Sequence, residues 1–146
     1  MEVIVKKYDD LTLDELYDIL RIRVQVFVVE QEVPYNDLDG KDNDAYHVFI
    51  REDNQIKAYL RILCEDESNG KVKIGRVLTT ERGKGYGRLV MEKGIETARK
   101  SYNPKRINIH SQDYVIEFYE KLGFKQVSDV FIEEDRPHVS MDLELE

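Results

Sequence analysis

The chain has 146 residues, 41% of them hydrophobic, and its 30 acidic against 22 basic side chains give a formal net charge of −8. This length suits a single domain with one sizeable core, and the acidic excess argues against the broad phosphate-binding surface that nucleic acid requires. No apolar run approaches the roughly 20 residues that cross a membrane, and the N-terminus lacks the apolar segment of a signal peptide. The sequence therefore predicts a soluble, cytoplasmic protein that binds neither nucleic acid nor membranes.

The first predicted element is an amphipathic helix that begins after Thr12. Thr12 and Glu15 form a capping-box pattern. Apolar residues then recur at helical spacing, namely Leu13, Leu16, Tyr17, Leu20, Val24 and Phe27. Residues 30–45, EQEVPYNDLDGKDNDA, are acidic and rich in turn formers, which predicts a long loop inside the same domain.

Three strands are predicted after the loop. The runs HVFIR (47–51) and IKAYLRILC (56–64) flank the turn EDNQ, and VKIGRVLTT (72–80) follows the turn ESNGK (67–71). Three successive strands with short turns predict an antiparallel meander.

The second half of the chain alternates helices and strands. A helical face of Gly87, Met91, Gly94, Ile95, Ala98 and Tyr102 ends at Asn103 and Pro104. The remaining predicted elements are a strand at 106–111, a short helix from Asp113 to a left-handed Gly123, and strands near 124–131 and 137–144. This order indicates an α/β or α+β fold with helices packed on a mixed sheet, and it does not imply a doubly wound sheet.

A glycine-rich segment, RGKGYG at 82–87, joins the third strand to the long helix. Its glycines let the backbone approach an anion closely, and the start of the helix supplies free N–H groups at the positive end of a dipole. With the cations Arg82, Lys84 and Arg88, the segment predicts a cradle for a phosphate or pyrophosphate, and a flexible surface turn is the alternative. The glycine spacing matches neither the P-loop nor the dinucleotide fingerprint.

Two motifs carry a resemblance to a known family. Residues 82–87 match R-x-x-G-x-G, and residues 111–124, SQDYVIEFYEKLGF, are similar to N-x-x-A-x-x-F-Y-x-K-x-G-F, with departures at Gln112 and Val115. The chain resembles the GNAT superfamily of acetyl-CoA-dependent N-acetyltransferases. Residues 21–41 and the runs IGRV and RPHVSMDL further resemble its ElaA-like group.

The resemblance implies a fold and an activity. It implies one GNAT domain over residues 1–146, with a mixed, mostly antiparallel central sheet of about six to seven strands flanked by helices. It also implies acetyl-CoA as cosubstrate without a metal, a primary amine of a small molecule or peptide as acceptor, and a homodimer as one open arrangement. The alternatives are a non-catalytic acyl-CoA-binding regulatory module and, less favoured, a nucleotide-binding module.

The resemblance assigns cofactor-binding roles to two stretches of backbone. Val77, Leu78 and Thr79 would hold the pantetheine arm, and an N–H of Val77 or Leu78 would polarise the thioester carbonyl. The remaining cofactor-binding positions are Arg82, Gly83, Lys84, Gly85, Tyr86, Gly87, Arg88 and Gln112. The connection at 79–81, between the strand and Arg82, is shorter than the family pattern leads us to expect.

Tyr119 matches the tyrosine that commonly acts as general acid in this superfamily. A phenol with a pKa near 10 can protonate a thiolate leaving group. Its alternative role is that of a core aromatic residue beside Phe118.

No local motif marks the general base. The candidates are Glu30, Asp39, His47, His110 and His138. His138 and Glu30 rank first because they lie in the segments that resemble the ElaA-like group, and a chain of water molecules is the alternative. Two acidic stretches are expected to surround a cationic acceptor, with an ordinary solvated surface as the alternative; their members are Glu30, Glu32, Asp37, Asp39, Asp42 and Asp44, and Glu133, Glu134 and Asp135.

Overall fold

The computed structural model describes residues 1–66, 68 and 70–145, so the turn predicted at 67–71 lies partly outside the described residues. Its elements, in chain order, are β1 (Glu2–Lys7), α1 (Leu13–Val24), a π-helix (Gln25–Glu30), β2 (Tyr46–Glu52), β3 (Gln55–Asp66), β4 (Lys71–Thr79), α2 (Tyr86–Tyr102), β5 (Arg106–Gln112), α3 (Ile116–Glu120), β6 (Lys125–Gln126), β7 (Phe131–Glu133) and β8 (Arg136–Glu144).

One mixed sheet carries the fold, in the strand order β1-β2-β3-β4-β5-β8-β6, with β7 paired to β8. Only β4 and β5 run parallel among the described pairs, and the others are antiparallel. The mixed, mostly antiparallel sheet is confirmed. Its eight described strands exceed the expected number because β1 was not predicted and because the segment 124–131 forms two short strands.

The capping of α1 is confirmed, but its predicted buried face is wrong. The Thr12 side chain accepts a hydrogen bond from the Glu15 amide at 3.0 Å, and the Thr12 amide donates to Glu15 Oε1 at 2.9 Å. The helix buries Glu15, Ile19 and Arg23, whereas Leu13 is 86% and Tyr17 66% exposed. Apolar periodicity misled here because two members of the buried face are charged residues satisfied by ion pairs.

The core has one layer on each side of the sheet. On one side, α2 packs on the apolar side chains of β2, β3, β4, β5 and β8. On the other, Ile19 of α1 packs with Phe49, Tyr59 and Leu78. Gly94 lets α2 lie close to the sheet, since a Cβ there would be 2.8 Å from Leu60 Cδ2.

A bulge interrupts β4 beside the centre of the sheet. Tyr59 pairs with Leu78 and Arg61 with Gly75, so Leu60 alone faces two residues of β4, Arg76 and Val77. The extra residue reverses the alternation of side chains. Val77 consequently joins the core on the α2 side, and Leu78 joins the core on the α1 side.

The sheet opens between β4 and β5. Among the described residues, β4 pairs with β5 only from Lys71 to Lys73, against Arg106 to Asn108. Beyond these pairs β4 continues to Thr79 and β5 to Gln112. The two strands therefore part in the middle of the sheet, beside the β4 bulge. Their facing edges keep backbone groups that a ligand can pair with.

Candidate active site

The glycine loop leaves open space at the start of α2. Gly83 and Gly85 have φ values of 74° and 80°, and a Cβ at either position would meet no atom within 4 Å. Gly85 is the N-cap of α2, and no side chain of a described residue caps the helix. The first N–H groups of α2 are thus free to bind an anion at the positive end of the helix dipole.

The three cations in and beside this loop differ in whether they form ion pairs. Arg82 and Lys84 are exposed, and neither makes an ion pair with another described residue. Arg88 is also exposed but donates from Nε to Glu92 Oε1 at 2.7 Å. Arg82 and Lys84 are therefore the cations that a phosphate group meets without first breaking an ion pair.

Tyr86 and Gly87 hold the start of α2 against the sheet. The Tyr86 hydroxyl donates a hydrogen bond to Glu52, which raises the pKa of Tyr86 to about 12. A Cβ on Gly87 would lie 3.4 Å from both Phe118 Cζ and Thr79 Cγ2. At these two positions the backbone, rather than a side chain, is available to a ligand.

The end of β4 stays regular up to the glycine loop. Thr79 pairs with Ala58, and the Thr80 amide donates to the Lys57 carbonyl at 3.0 Å. The short connection at 79–81 therefore leaves the pairing with β3 intact. The opposite edge of Val77, Leu78 and Thr79 faces the opening toward β5.

Tyr119 lies in the core on α3. Its side chain is 7% exposed, and its ring packs edge-on against Phe118 at 5.1 Å and Phe124 at 5.9 Å between centroids. Burial raises the pKa of Tyr119, with a smaller contribution from Tyr114. The raised pKa keeps the hydroxyl protonated at neutral pH. It makes no hydrogen bond to another described residue, so it is free to donate one to a ligand.

His138 is buried on β8 with a defined hydrogen bond. Its Nδ1 lies 2.8 Å from the Arg136 carbonyl oxygen, and because a carbonyl oxygen only accepts, Nδ1 carries the proton of the neutral ring. Nε2 then holds the lone pair, 3.9 Å from Glu133 Oε2. Glu133 also accepts from His110 Nδ1 at 2.9 Å, which lowers the pKa of Glu133.

Sequence reasoning missed that Glu133 lies between two histidines, His110 and His138. The hairpin between β7 and β8 pairs Glu133 with Arg136, and its two turn residues, Glu134 and Asp135, both have positive φ. Two-residue hairpin turns of this kind favour Asn-Gly or Asp-Gly. The pair Glu-Asp gave no such signal, so the hairpin that brings Glu133 back beside His138 was not predicted.

Three segments meet at the C-terminal end of β5. Gln112 pairs with His138 in the sheet and donates from Nε2 to Gln31 Oε1 at 3.4 Å. Arg136 Nη2 donates to the Gln31 carbonyl at 2.6 Å. Gln112 and His138 are thus brought together, whereas Glu30 is exposed at the end of the π-helix and makes no ion pair with a described residue.

His47 is structural. It is fully buried, and its ring nitrogens lie 2.6 Å from the Tyr59 hydroxyl and 2.9 Å from the Asp42 carbonyl oxygen. Burial lowers the pKa of His47. Both nitrogens are engaged inside the fold, so His47 drops out of the candidate bases.

Three arginines and three aspartates form what we call the central ion cluster: Arg23, Arg61, Arg76, Asp37, Asp39 and Asp42. Arg23 contacts Asp42 at 2.7 Å and Asp37 at 2.9 Å. Arg61 contacts Asp39 at 2.8 Å and Asp42 at 3.1 Å. The cluster ties the loop at 31–45 to α1, β3 and β4.

The expectation that the acidic loop surrounds a cationic acceptor fails for three of its carboxylates. Asp37, Asp39 and Asp42 face arginines of the same chain. Their charges are balanced within the fold and are not available to attract a substrate. Asp39, one of the candidate bases, drops out for the same reason.

The central ion cluster predicts an acid-sensitive contribution to stability. Burial opposes the ionisation of Asp42, but Arg23 and Arg61 hold its pKa below the usual range. A depressed folded pKa stabilises the protein above the unfolded value of about 3.9 and stops doing so as the pH falls toward the folded value. We expect Asp42→Asn to lower the free energy of unfolding by about 3 kcal/mol at pH 7, since Arg23 and Arg61 would each lose one of their two carboxylate partners inside the fold.

Denaturant unfolding at a series of pH values measures this effect. The difference between wild type and Asp42→Asn should be constant from pH 8 to about 5 and should shrink below about pH 4. Asp44→Asn is the control and should have little effect, because Asp44 lies in the same 3-10 helix as Asp42 (Asp42–Asp44) but is exposed. A difference that persists undiminished at pH 2.5 would contradict the assignment.

Two further properties concern the described part of the chain. None of its helices is long and apolar enough to cross a membrane. Its His, Cys, Asp and Glu side chains form no group of three or more arranged to hold a metal ion.

Comparisons with known proteins agree with this geometry. The structure resembles the crystal structure of an acyl-CoA N-acyltransferase from Pseudomonas aeruginosa, with a TM-score of 0.91 and 36% identity over 98% of this chain and 99% of that chain. It also resembles the crystal structure of Escherichia coli ElaA, with a TM-score of 0.92 and 36% identity over the same shares of the two chains.

Relatives found by sequence give the same answer. A UPF0039 protein of Schizosaccharomyces pombe is 38% identical over 99% of this chain and 98% of its own length. Protein ElaA of Escherichia coli is 36% identical over 94% of this chain and 93% of its own. The family model for the acetyltransferase (GNAT) domain matches residues 9–145. The chain therefore belongs to the GNAT acetyltransferase family, and within it to the ElaA-like group that its motifs predict.

Proposed function

We propose that the protein is an acetyl-CoA-dependent N-acetyltransferase that moves an acetyl group directly from the CoA thioester to a primary amine of a small molecule or peptide. The observation that carries this proposal is the junction of an uncapped helix start, an open glycine loop and a parted pair of parallel strands. The uncapped helix start suits the pyrophosphate of an acyl-CoA, and the opening between the strands suits its extended pantetheine arm. No phosphate-binding fingerprint of another ligand class competes with this fit.

The loop and β4 would share the binding of the cosubstrate. The pyrophosphate would accept hydrogen bonds from the free N–H groups at the start of α2, with Arg82 and Lys84 adding charge. The pantetheine arm would pair with the free edge of β4 in the opening toward β5. There an N–H of Val77 or Leu78 would donate to the thioester carbonyl and stabilise the negative charge that develops on it.

His138 would act as the general base. His138 Nε2, which holds the lone pair of the neutral ring, would accept the proton from the attacking amine. Glu133 would stabilise the imidazolium that forms. We assign the base to His138 rather than Glu30 because His138 is buried beside Gln112 at the end of β5, whereas Glu30 is exposed.

Tyr119 would donate a proton to the departing thiolate as the acetyl–sulfur bond breaks. Its pKa is raised by burial, and burial raises the pKa of a thiol in the same surroundings as well, because desolvation disfavours both anions. The two groups thus stay close enough in acidity for proton transfer. The nitrogen–acetyl bond replaces the acetyl–sulfur bond, and the products are a neutral amide group and a neutral thiol group on CoA. His138 would then lose its extra proton and Tyr119 would regain one through solvent.

A panel of primary amines incubated with acetyl-CoA tests the proposal. The panel should include amino acids, lysine-containing peptides, polyamines and aryl amines, and mass spectrometry should detect the acetylated product. We expect acetylation of at least one class, at a rate that is proportional to enzyme concentration. Saturable CoA binding without acetylation of any class would favour the non-catalytic acyl-CoA-binding module instead.

A further inference from the structure

Arg76 occupies a strained position in the β4 bulge. Its φ is 56°, a left-handed conformation that is uncommon for any residue with a Cβ. Such strain costs about 1–3 kcal/mol and persists only where the surroundings hold it in place. The residue that follows, Val77, begins the stretch of backbone that the proposed function assigns to the thioester.

The side chain of Arg76 is held at four points by the loop at 31–45. Its Nε donates to Asp37 Oδ1 at 2.9 Å, and its Nη2 donates to the Asp37 carbonyl at 3.1 Å and to Asp39 Oδ2 at 3.3 Å. Its guanidinium also lies 4.7 Å from the centre of the Tyr35 ring. A planar group with several donors is required to satisfy these contacts together.

The groups that hold Arg76 are themselves fixed. Asp37 is buried and contacts Arg23 Nε at 2.9 Å, and Asp39 contacts Arg61 at 2.8 Å. Arg23 lies on α1 and Arg61 on β3, so the bulge is braced against two other elements. Buried ion pairs add little net stability compared with apolar packing, and their best attested use is to specify one arrangement.

We infer that Arg76 is a positioning residue for acyl transfer: its ion pairs with Asp37 and Asp39 fix the β4 bulge and thereby the direction of the Val77 and Leu78 amides. The inference rests on the proposed function for its catalytic consequence. Its structural step, that the side chain of Arg76 holds the backbone after the bulge, stands independently of any reaction.

Three variants separate the side chain of Arg76 from its backbone. Arg76→Gly keeps the left-handed conformation without strain but removes the ion pairs. Arg76→Ala removes the ion pairs and keeps the strain, and Arg76→Lys keeps one charge that cannot span both aspartates. Arg106→Gln is the matched control. Arg106 lies on β5, outside the bulge, and its Nε is 3.3 Å from Glu144 Oε1.

Hydrogen exchange of the backbone at 77–80 and at 35–42 reports the structural step. We expect faster exchange of both segments in Arg76→Gly and Arg76→Ala, a smaller change in Arg76→Lys and none in Arg106→Gln. With the amine found in the panel, kcat should fall about tenfold or more in Arg76→Gly, because small misplacements of reacting groups are costly. The KM for acetyl-CoA should change less than about threefold, since the pyrophosphate cradle is untouched.

Unchanged exchange at 77–80 in a folded Arg76→Gly protein, or a kcat within twofold of wild type, would overturn the inference. If Arg76→Gly does not fold, Arg76→Lys decides by the same two measurements. If wild type acetylates no amine, the proposed function fails, while the exchange data still decide whether Arg76 braces the bulge.

Discussion

Replacing Tyr119 with phenylalanine is expected to lower turnover by about 10²-fold or more, the usual contribution of a general acid, and to leave CoA affinity within about twofold of wild type. The phenylalanine ring keeps the packing against Phe118 and Phe124, and the lost hydroxyl has no hydrogen bond to another described residue. The thermal midpoint should therefore change little. A loss of turnover in this variant then reports the missing proton donor rather than a damaged core.

Steady-state kinetics with the amine acceptor found in the panel measure turnover, and calorimetric titration with CoA measures CoA affinity. Tyr114→Phe is the matched control, because Tyr114 precedes the same short helix and is 64% exposed. It should retain wild-type turnover. Turnover of Tyr119→Phe within twofold of wild type would reject the acid role and leave Tyr119 as a core aromatic residue.

Replacing Gly85 with valine should weaken CoA binding by at least about tenfold. The φ of Gly85 is 80°, a conformation that costs a β-branched residue about 1–3 kcal/mol of folding stability. The new side chain would also enter the open space at the start of α2, where the pyrophosphate is proposed to lie. Relief of strain by rotation of the loop would withdraw the N–H groups from the same place.

Gly40→Val is the control for the strain itself. Gly40 also has a φ of 80°, and a Cβ there meets nothing within 4 Å, but it lies in the loop at 31–45. Both variants should lose similar stability in denaturant unfolding, and only Gly85→Val should lose CoA affinity. Equal CoA affinity of the two variants would contradict the position of the cradle.

The sequence predicted the elements of the fold well where local signals were strong. As expected, Thr12 caps the start of α1 and α2 ends before Asn103. Gly123 has the predicted positive φ, but α3 already ends at Glu120. The strand β1 was missed because its run of six residues has a turn signal only after it, at Asp9 and Asp10, and none before it. The buried face of α1 was misassigned because burial of Glu15 and Arg23 depends on partners elsewhere in the chain.

The residues of the candidate site also fall into those that local motifs indicated and those that only long-range contacts bring together. The glycine loop and the segment around Tyr119 are local motifs, so the sequence alone indicated them. The central ion cluster joins residues that lie far apart along the chain, and Arg76 and Asp37 are separated by 39 positions. Pairing at such distances follows from the β4 bulge and the sheet order, which no local pattern encodes. Glu133 and His110, separated by 23 positions, escaped notice for the same reason.

Calorimetric titration of the unmodified protein with acetyl-CoA, CoA and ATP tests the central claim most directly, because the cradle at the start of α2 underlies every later step. We predict saturable binding of acetyl-CoA and CoA at one site, with ATP unable to compete at equal concentration. No binding of either CoA species to the folded protein would contradict the proposed acetyltransferase.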